Sequence, residues 1–239
     1  MKDLNVIAFD ADDTLWHTEH LFQDIQTRLS EILELYAPHD DVQSRLHQTE
    51  MNNIKLFGYG AKGFTLSMIE TAIEISRGKA TASDIHEIIM MGKGLLDAPL
   101  NLIEGCADVL KELKDNYRLF LITKGDVLDQ RNKIVKSGLE DLFERTEVVQ
   151  EKDAETYRAL FHRYDIDPQN LVMVGNSMRS DILPILELDG HAIYIPYHVT
   201  AHFEIVEEDV SHPRFHQLAH ISDLPDFLAE QRGTGAQRL

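Results

Sequence analysis

Asp10-Ala11-Asp12-Asp13-Thr14 sets two carboxylates two residues apart, directly behind the apolar run Val6–Phe9. In an extended segment alternate side chains share a side, so Asp10 and Asp12 face the same way. Two carboxylates about 4 Å apart repel by about 4 kcal/mol at an effective dielectric of 20. Such a pair either waits for a cation or is an acidic loop that closes a strand with Asx turns. Three later segments bear on that choice. Thr123 closes Leu119–Ile122 and is followed by Lys124-Gly125-Asp126, and Lys152 follows Thr146–Val149. The third, Gly175-Asn176-Ser177-Met178-Arg179-Ser180-Asp181, follows Leu171–Val174. A threonine cap, a surface lysine and a turn-helix junction are each ordinary alone. Together, at the carboxyl ends of strands, they make one candidate site, because open α/β sheets bind ligands there.

The elements that must position these residues follow from periodicity. The runs just named and Ala192–Ile195 read as five short strands, with Thr146–Val149 the weakest. Cys106, Val109, Leu110 and Leu113 form one apolar stripe at i, i+3, i+4, i+7. Val127–Val135, Thr156–Tyr164 and Asp181–Leu188 also read as helices. This alternation predicts an α/β fold, a buried parallel sheet with helices on both faces. From His17 to about Met91 the pattern is helical throughout, including Gly63–Ser76 and a short helix Thr81–Met91 that Ser83 would cap. That stretch is too long for an ordinary crossover, whose loops run about 2–6 residues. It predicts an inserted all-helical cap.

These residues resemble the haloacid dehalogenase superfamily of phosphohydrolases, whose first motif is Asp-x-Asp-x-Thr after a strand. The likeness runs from Val6 to about Pro196, with the cap inserted between the first and second motifs. It implies a Rossmann-like core formed by residues 1–16 and 95–231, a helical cap domain at 17–94, and a flexible tail at 232–239. By the same resemblance Asp10 is the nucleophile that forms an aspartyl-phosphate, and Asp12 is the general acid and then base. Asp12 would need a raised pKa, which burial beside a second carboxylate supplies. Thr123 and the N–H groups around Gly125 would hold the phosphoryl oxygens, and Lys152 would offset charge on them and on Asp10. The implied cofactor is Mg²⁺, on Asp10, the Asp12 main-chain carbonyl, Asn176 and Asp181.

The chain departs from the family pattern three times. Asn176 stands where the family has aspartate, so an anionic ligand is lost and Asp181 must do more. Asp13 replaces a glycine, and aspartate tolerates left-handed geometry better than most residues. Lys124 replaces an asparagine and either contacts the substrate phosphate or points to water. The activity this implies is a Mg²⁺-dependent phosphatase of a small phosphorylated metabolite. A phosphomutase, a haloacid dehalogenase and a non-catalytic binding protein are the alternatives; in the dehalogenase Asp12 would have no evident purpose.

The rest of the chain narrows the setting. Its 239 residues carry 23 Lys and Arg against 41 Asp and Glu, a net charge of −18, which argues against nucleic acid or an anionic membrane as partner. One cysteine, Cys106, cannot form an internal disulfide, and Met1-Lys2-Asp3 opens without an apolar signal core. No apolar stretch approaches the roughly 18 residues of a membrane span. A cytoplasmic location is expected. Gly58-Tyr59-Gly60-Ala61-Lys62-Gly63 lacks the hydroxyl residue and the preceding strand of a nucleotide-binding loop. As a cap loop it offers Tyr59 and Lys62 for substrate choice. His212, His216 and His220 repeat at helical spacing, with Pro213 as a helix start, and His198 pairs with His202. Zinc or nickel could use such spacing, but a solvated helix face explains it better. Cys106 reads as a buried structural thiol, while Trp16 is open to packing under the cap or to touching substrate.

Overall fold

The computed structural model describes residues 1, 3–206 and 210–233. Val6-Ile7-Ala8-Phe9 form strand β1 (Val6–Phe9), buried at every position. Such a run needs apolar cover on both faces, and alternation supplies it. Ile7 and Phe9 pack into one core with Cys106, Val109, Leu110, Ile134, Leu224 and Leu228. Val6 and Ala8 pack into the opposite core with Tyr157, Leu160, Phe161, Ile182 and Ile185.

The other strands are β2 (Arg118–Lys124), β3 (Arg145–Val149), β4 (Leu171–Gly175), β5 (His191–Tyr194) and β6 (Phe215–Gln217). They form one sheet in the order β3-β2-β1-β4-β5-β6, every neighbouring pair parallel. The winding reverses at β1, which lies between β2 and β4. That opens a crevice beyond its carboxyl end, where Asp10 begins.

The helices are α1 (Glu19–Ile32), α2 (His39–Phe57), α3 (Ala61–Ile75), α4 (Ala82–Asp97), α5 (Cys106–Leu113), α6 (Val127–Ser137), α7 (Ala154–Arg163), α8 (Leu183–Glu187) and α9 (Leu224–Gly233). The chain divides into two compact units. One comprises Met1–His17, Leu100–Lys124 and Arg131–Leu239 and holds the sheet. The second comprises Thr18–Pro99 with Gly125–Gln130 and is built on α1 to α4 around Leu29, Leu33, Leu46, Phe64, Met68 and Ile88. Gly92 on α4 is required by the close approach of α3, since a Cβ there would sit 2.0 Å from Thr65 Oγ1.

Several local expectations change. Thr81, not Ser83, caps α4, in a capping box with Asp84, and the helix runs on to Asp97. The expected helix Asp181–Leu188 is a π turn, Met178–Ile182, followed by the short α8. Pro184, which has no N–H to donate, stands in the first turn of α8. The histidine helix after Pro213 is absent, because Phe215–Gln217 is the edge strand β6 on β5. Phe215 joins one core and Leu218 the other, an alternation that a helix, with i and i+3 on one face, would not allow. His202 begins a single 3₁₀ turn, so no helix spans His198 and His202. The expected tail lies outside the described residues except for Arg232 and Gly233, which finish α9.

The α2 face of the helical unit carries polar groups inward. Thr49, Glu50 and Asn53 are buried, and Asn53 Nδ2 donates to Ser67 Oγ at 3.2 Å and to Glu70 Oε2 at 2.7 Å. Burial pushes the Glu50 carboxyl from 4.5 up to about 7. Between those values the unfolded chain has released a proton that the folded chain keeps, so stability falls as pH rises. At about 1.4 kcal/mol per unit, the loss is on the order of 3 kcal/mol and is complete above the folded value. Glu50→Gln should remove this slope. Urea unfolding at pH 5 and pH 8 should show wild type losing more stability than the variant across that interval, and parallel losses would refute the assignment.

Candidate active site

Strand β1 ends by delivering Asp10, whose N–H donates to Val174 O at 2.9 Å and ties the loop to β4. Asp13 adopts φ +62°, the left-handed geometry expected where a glycine is usual. The turn brings Thr14 Oγ1 back to Asp10 Oδ2 at 3.1 Å. Lys152 enters from the loop after β3, fixed by Asp153, which caps α7 by accepting from the Thr156 N–H. Its Nζ donates to Asp10 Oδ1 at 2.5 Å and to Asp181 Oδ1 at 2.7 Å. Asp181 Oδ2 accepts from the Ser177 N–H at 3.0 Å. All three charged residues are buried, Asp10 at 7% exposure, Lys152 at 3% and Asp181 at 1%.

Two carboxylates therefore share one ammonium. Burial pushes the Asp10 carboxyl up to about 7 against the pull of Lys152, with Asp181 adding to the rise. Burial alone would lower Lys152, but Asp10 and Asp181 overcome it and hold the ammonium well above its ordinary value. The burial expected for Asp12 falls on Asp10 instead. The Asp12 side chain is 25% exposed and paired with Lys133 at 3.0 Å. The same oxygen, Oδ1, accepts from Trp16 Nε1 at 2.8 Å. Trp16 is fully buried, so it anchors the carboxylate from beneath.

Asn176 completes the group. Its amide nitrogen, turned inward, donates to Asp10 Oδ2, Thr14 Oγ1 and the Asp12 carbonyl oxygen at 3.1, 3.2 and 3.2 Å. Rotated by half a turn, the amide sets its oxygen beside Asp10 Oδ2 and the Asp12 carbonyl. That oxygen set fits a hard divalent cation. Both oxygens of Asp181 are already engaged, by Lys152 and by Ser177, so it holds the lysine. Among the described residues no three His, Cys, Asp or Glu side chains gather as a metal site; this one would depend on an amide and a main-chain carbonyl.

Thr123 is 1% exposed at the end of β2. Lys124 does not point to water: Nζ is paired with Glu204, lies 3.0 Å from Ser180 Oγ and is 3.3 Å from Glu151. Gly125, Tyr59 and Lys62 belong to the helical unit, where Lys62 Nζ pairs with Asp126 at 2.9 Å. Cys106 is buried, donates to Leu15 O at 3.2 Å, and burial raises its thiol to about 11. Lys133 and Glu204 escaped the sequence reading. Neither follows a strand directly, and a charged residue on a helix or in a long loop carries no spacing signal.

The family model for haloacid dehalogenase-like hydrolases matches residues 4–189. The chain belongs to this family. It is similar to a haloacid dehalogenase-like family hydrolase from Xanthomonas campestris, with 37% identity over 99% of this chain and 95% of that one, and a TM-score of 0.88. A 2-haloacid dehalogenase from Pseudomonas syringae pv. Tomato DC3000 shares the fold at 16% identity, over 95% and 99% of the two chains, with a TM-score of 0.63. A glyceraldehyde 3-phosphate phosphatase of Pyrococcus abyssi is 27% identical over 106 residues. That match spans 42% of this chain and 44% of the phosphatase, less than half its length. The similar proteins thus carry the names of two chemistries, a phosphatase and a dehalogenase. Among the described residues no helix is long and apolar enough to cross a membrane.

Asn176→Asp restores a charged oxygen beside Asp10. It should tighten Mg²⁺ by about tenfold or more in calorimetric titration, since hydrogen-bonding and ligating groups gain strongly from charge. It should also lower the metal-free melting temperature, because a third carboxylate then faces Asp10 and Asp12. Unchanged Mg²⁺ affinity would show that Asn176 is not a ligand.

Proposed function

We propose that this hydrolase is a Mg²⁺-dependent phosphatase of a small phosphomonoester, working through an aspartyl-phosphate on Asp10. The observation that carries the reading is Asp12, a second carboxylate two residues from the nucleophile, held through one oxygen by Trp16 and Lys133. A phosphoester needs such a group to protonate its leaving alkoxide; a haloacid, which expels halide, does not. The Pyrococcus abyssi phosphatase supports a small phosphorylated substrate. The buried free thiol of Cys106 supports a reducing, cytoplasmic setting.

In this reading Asp10 forms a bond to phosphorus while the ester P–O bond breaks, and Asp12 passes its proton to the departing oxygen. Lys152 and Thr123 hold the phosphoryl oxygens, Lys152 also offsetting the charge that builds as Asp10 attacks. Water then attacks phosphorus and Asp12 takes its proton. The bond to Asp10 breaks, inorganic phosphate leaves, and both aspartates return to their first state. Mg²⁺ would be held by Asp10, the Asp12 carbonyl and Asn176, and when bound would draw charge from the phosphoryl oxygens. Asp181 keeps Lys152 in place throughout.

Release of inorganic phosphate from a panel of phosphomonoesters, with and without Mg²⁺, tests this directly. Asp10→Asn should abolish turnover. Asp12→Asn should slow alkyl phosphates about 10²–10⁴-fold, the usual contribution of general acid–base catalysis, and slow p-nitrophenyl phosphate less. Halide release from a 2-haloacid without any phosphate release would assign the dehalogenase chemistry instead. Within the same proposal Tyr59 and Lys62 choose the substrate. Tyr59→Ala and Lys62→Ala should therefore reorder the panel, and an unchanged ranking would remove them from that role.

A further inference from the structure

The mechanism leaves one buried charge cluster unused. Lys124, next in the chain to Thr123, has a side chain only 10% exposed, and the Glu204 side chain paired with it is 12% exposed. The two oxygens of Glu204 divide the cluster. Oε1 accepts from Lys124, while Oε2 accepts from Ser177 Oγ and, at 2.6 Å, from Ser180 Oγ. Arg179 donates to Phe203 O at 2.8 Å and so ties down the turn His202–Glu204. The Phe203 ring lies 5.8 Å from the Lys124 ammonium. Ser177 caps, and Ser180 lies within, the π turn whose Asp181 holds Lys152 and, through it, Asp10. The Lys124–Glu204 pair is therefore linked to the nucleophile through the π turn, Asp181 and Lys152.

A lysine at this place would attract any second anionic group on a substrate. An ammonium held by a carboxylate of its own chain, with two hydroxyls aligned on the same carboxylate, is much less available. We infer that Glu204 determines specificity: by holding Lys124 it makes the site select phosphomonoesters whose remaining part carries no further anionic group. This rests on the phosphatase reading and narrows its substrate class. Glu204 touches no reacting atom in this scheme. It acts through Lys124.

The test uses binding, so it does not depend on turnover. Ethylphosphonate and phosphonoacetate both present a phosphonate whose carbon–phosphorus bond a phosphoesterase leaves intact, and only the second adds a carboxylate. Calorimetric titration of each, with Mg²⁺ present throughout, into wild type, Glu204→Gln, Lys124→Met and the double variant gives an affinity ratio for every form. Wild type should favour ethylphosphonate. Glu204→Gln keeps the shape and the serine contacts but removes the buried carboxylate from beside Lys124, leaving only the half-exposed Glu151 at 3.3 Å. It should shift the ratio toward phosphonoacetate by about tenfold or more, the scale of one charge-assisted hydrogen bond. The double variant should cancel the shift, and Lys124→Met alone should not produce it. A purely structural role would weaken both ligands together in Glu204→Gln, and that result would overturn the inference. So would a wild-type preference for phosphonoacetate. If no form binds either phosphonate, the phosphatase reading falls and this inference falls with it. If both bind while phosphate release is absent, the ratio still decides the role of Glu204.

Discussion

A single ammonium, that of Lys152, lies between two buried carboxylates, and the catalytic end of the sheet is arranged around it. Asp10 and Asp181 each approach within hydrogen-bonding distance of it, with almost no solvent to screen them. Removing the ammonium would leave two buried carboxylates uncompensated, a loss of about 3–5 kcal/mol. The surrounding backbone shows what is needed to hold the arrangement. Gly175 closes β4 because a Cβ there would fall 2.3 Å from Asp181 Oδ2. The π turn that follows lets Ser177 donate its N–H to that same oxygen. Tyr157, fully buried on α7, donates to Ser180 O at 3.0 Å and fixes the turn from below. Three strands thus contribute to one charge balance: β1 through Asp10, β3 through Lys152 and β4 through Asp181.

The sheet makes that convergence possible at low cost in flexible chain. β1 is covered on both faces and bonded on both edges, so the residue that leaves it has little freedom before it reaches the site. Asp10 is pinned by its own N–H, Lys152 by the capped start of α7, and Asp181 by its turn. Because each charged group is placed by the end of a regular element, the electrostatic arrangement is set before any ligand arrives. That is the condition under which fixed charges stabilise a transition state most effectively. Trp16 extends the principle to Asp12. A fully buried indole directs one carboxylate oxygen, and Lys133 engages the same atom from α6.

What the sequence made legible was whatever coincided with the end of an element. Asp10, Thr123 and Lys152 could be read because each stands at or just beyond an apolar run of strand character, and Asp181 because it lies in the turn that follows another. The five strands were readable for the same reason. β6 was not, since three residues at a sheet edge leave too short an alternation, and three regularly spaced histidines suggested a helix instead. Lys133 and Glu204 were invisible because their importance depends on which carboxylate or ammonium they reach in space. The expected burial of Asp12 went astray in the same way. Adjacency in sequence placed two acids together, but only packing decides which one loses its water, and here packing buries Asp10.

The departures from the family pattern read as one adjustment of charge. An aspartate at position 176 would put a further anion against Asp10 and Asp12; the asparagine instead offers an amide that donates to both when it faces inward. The lysine at position 124 adds a cation, and Glu204 answers it. Around the site the carboxyl groups of Asp10, Asp12, Asp181, Glu204 and Glu151 outnumber the ammoniums of Lys124, Lys133 and Lys152. A site in that state repels a phosphate dianion as it stands, and a divalent cation would offset the excess. Asn176 thus limits the negative charge that a cation would have to overcome, and Glu204 offsets the charge that the extra lysine adds. Replacing the usual aspartate and replacing the usual asparagine are then linked changes, each tolerable because of the carboxylates and ammoniums that surround it.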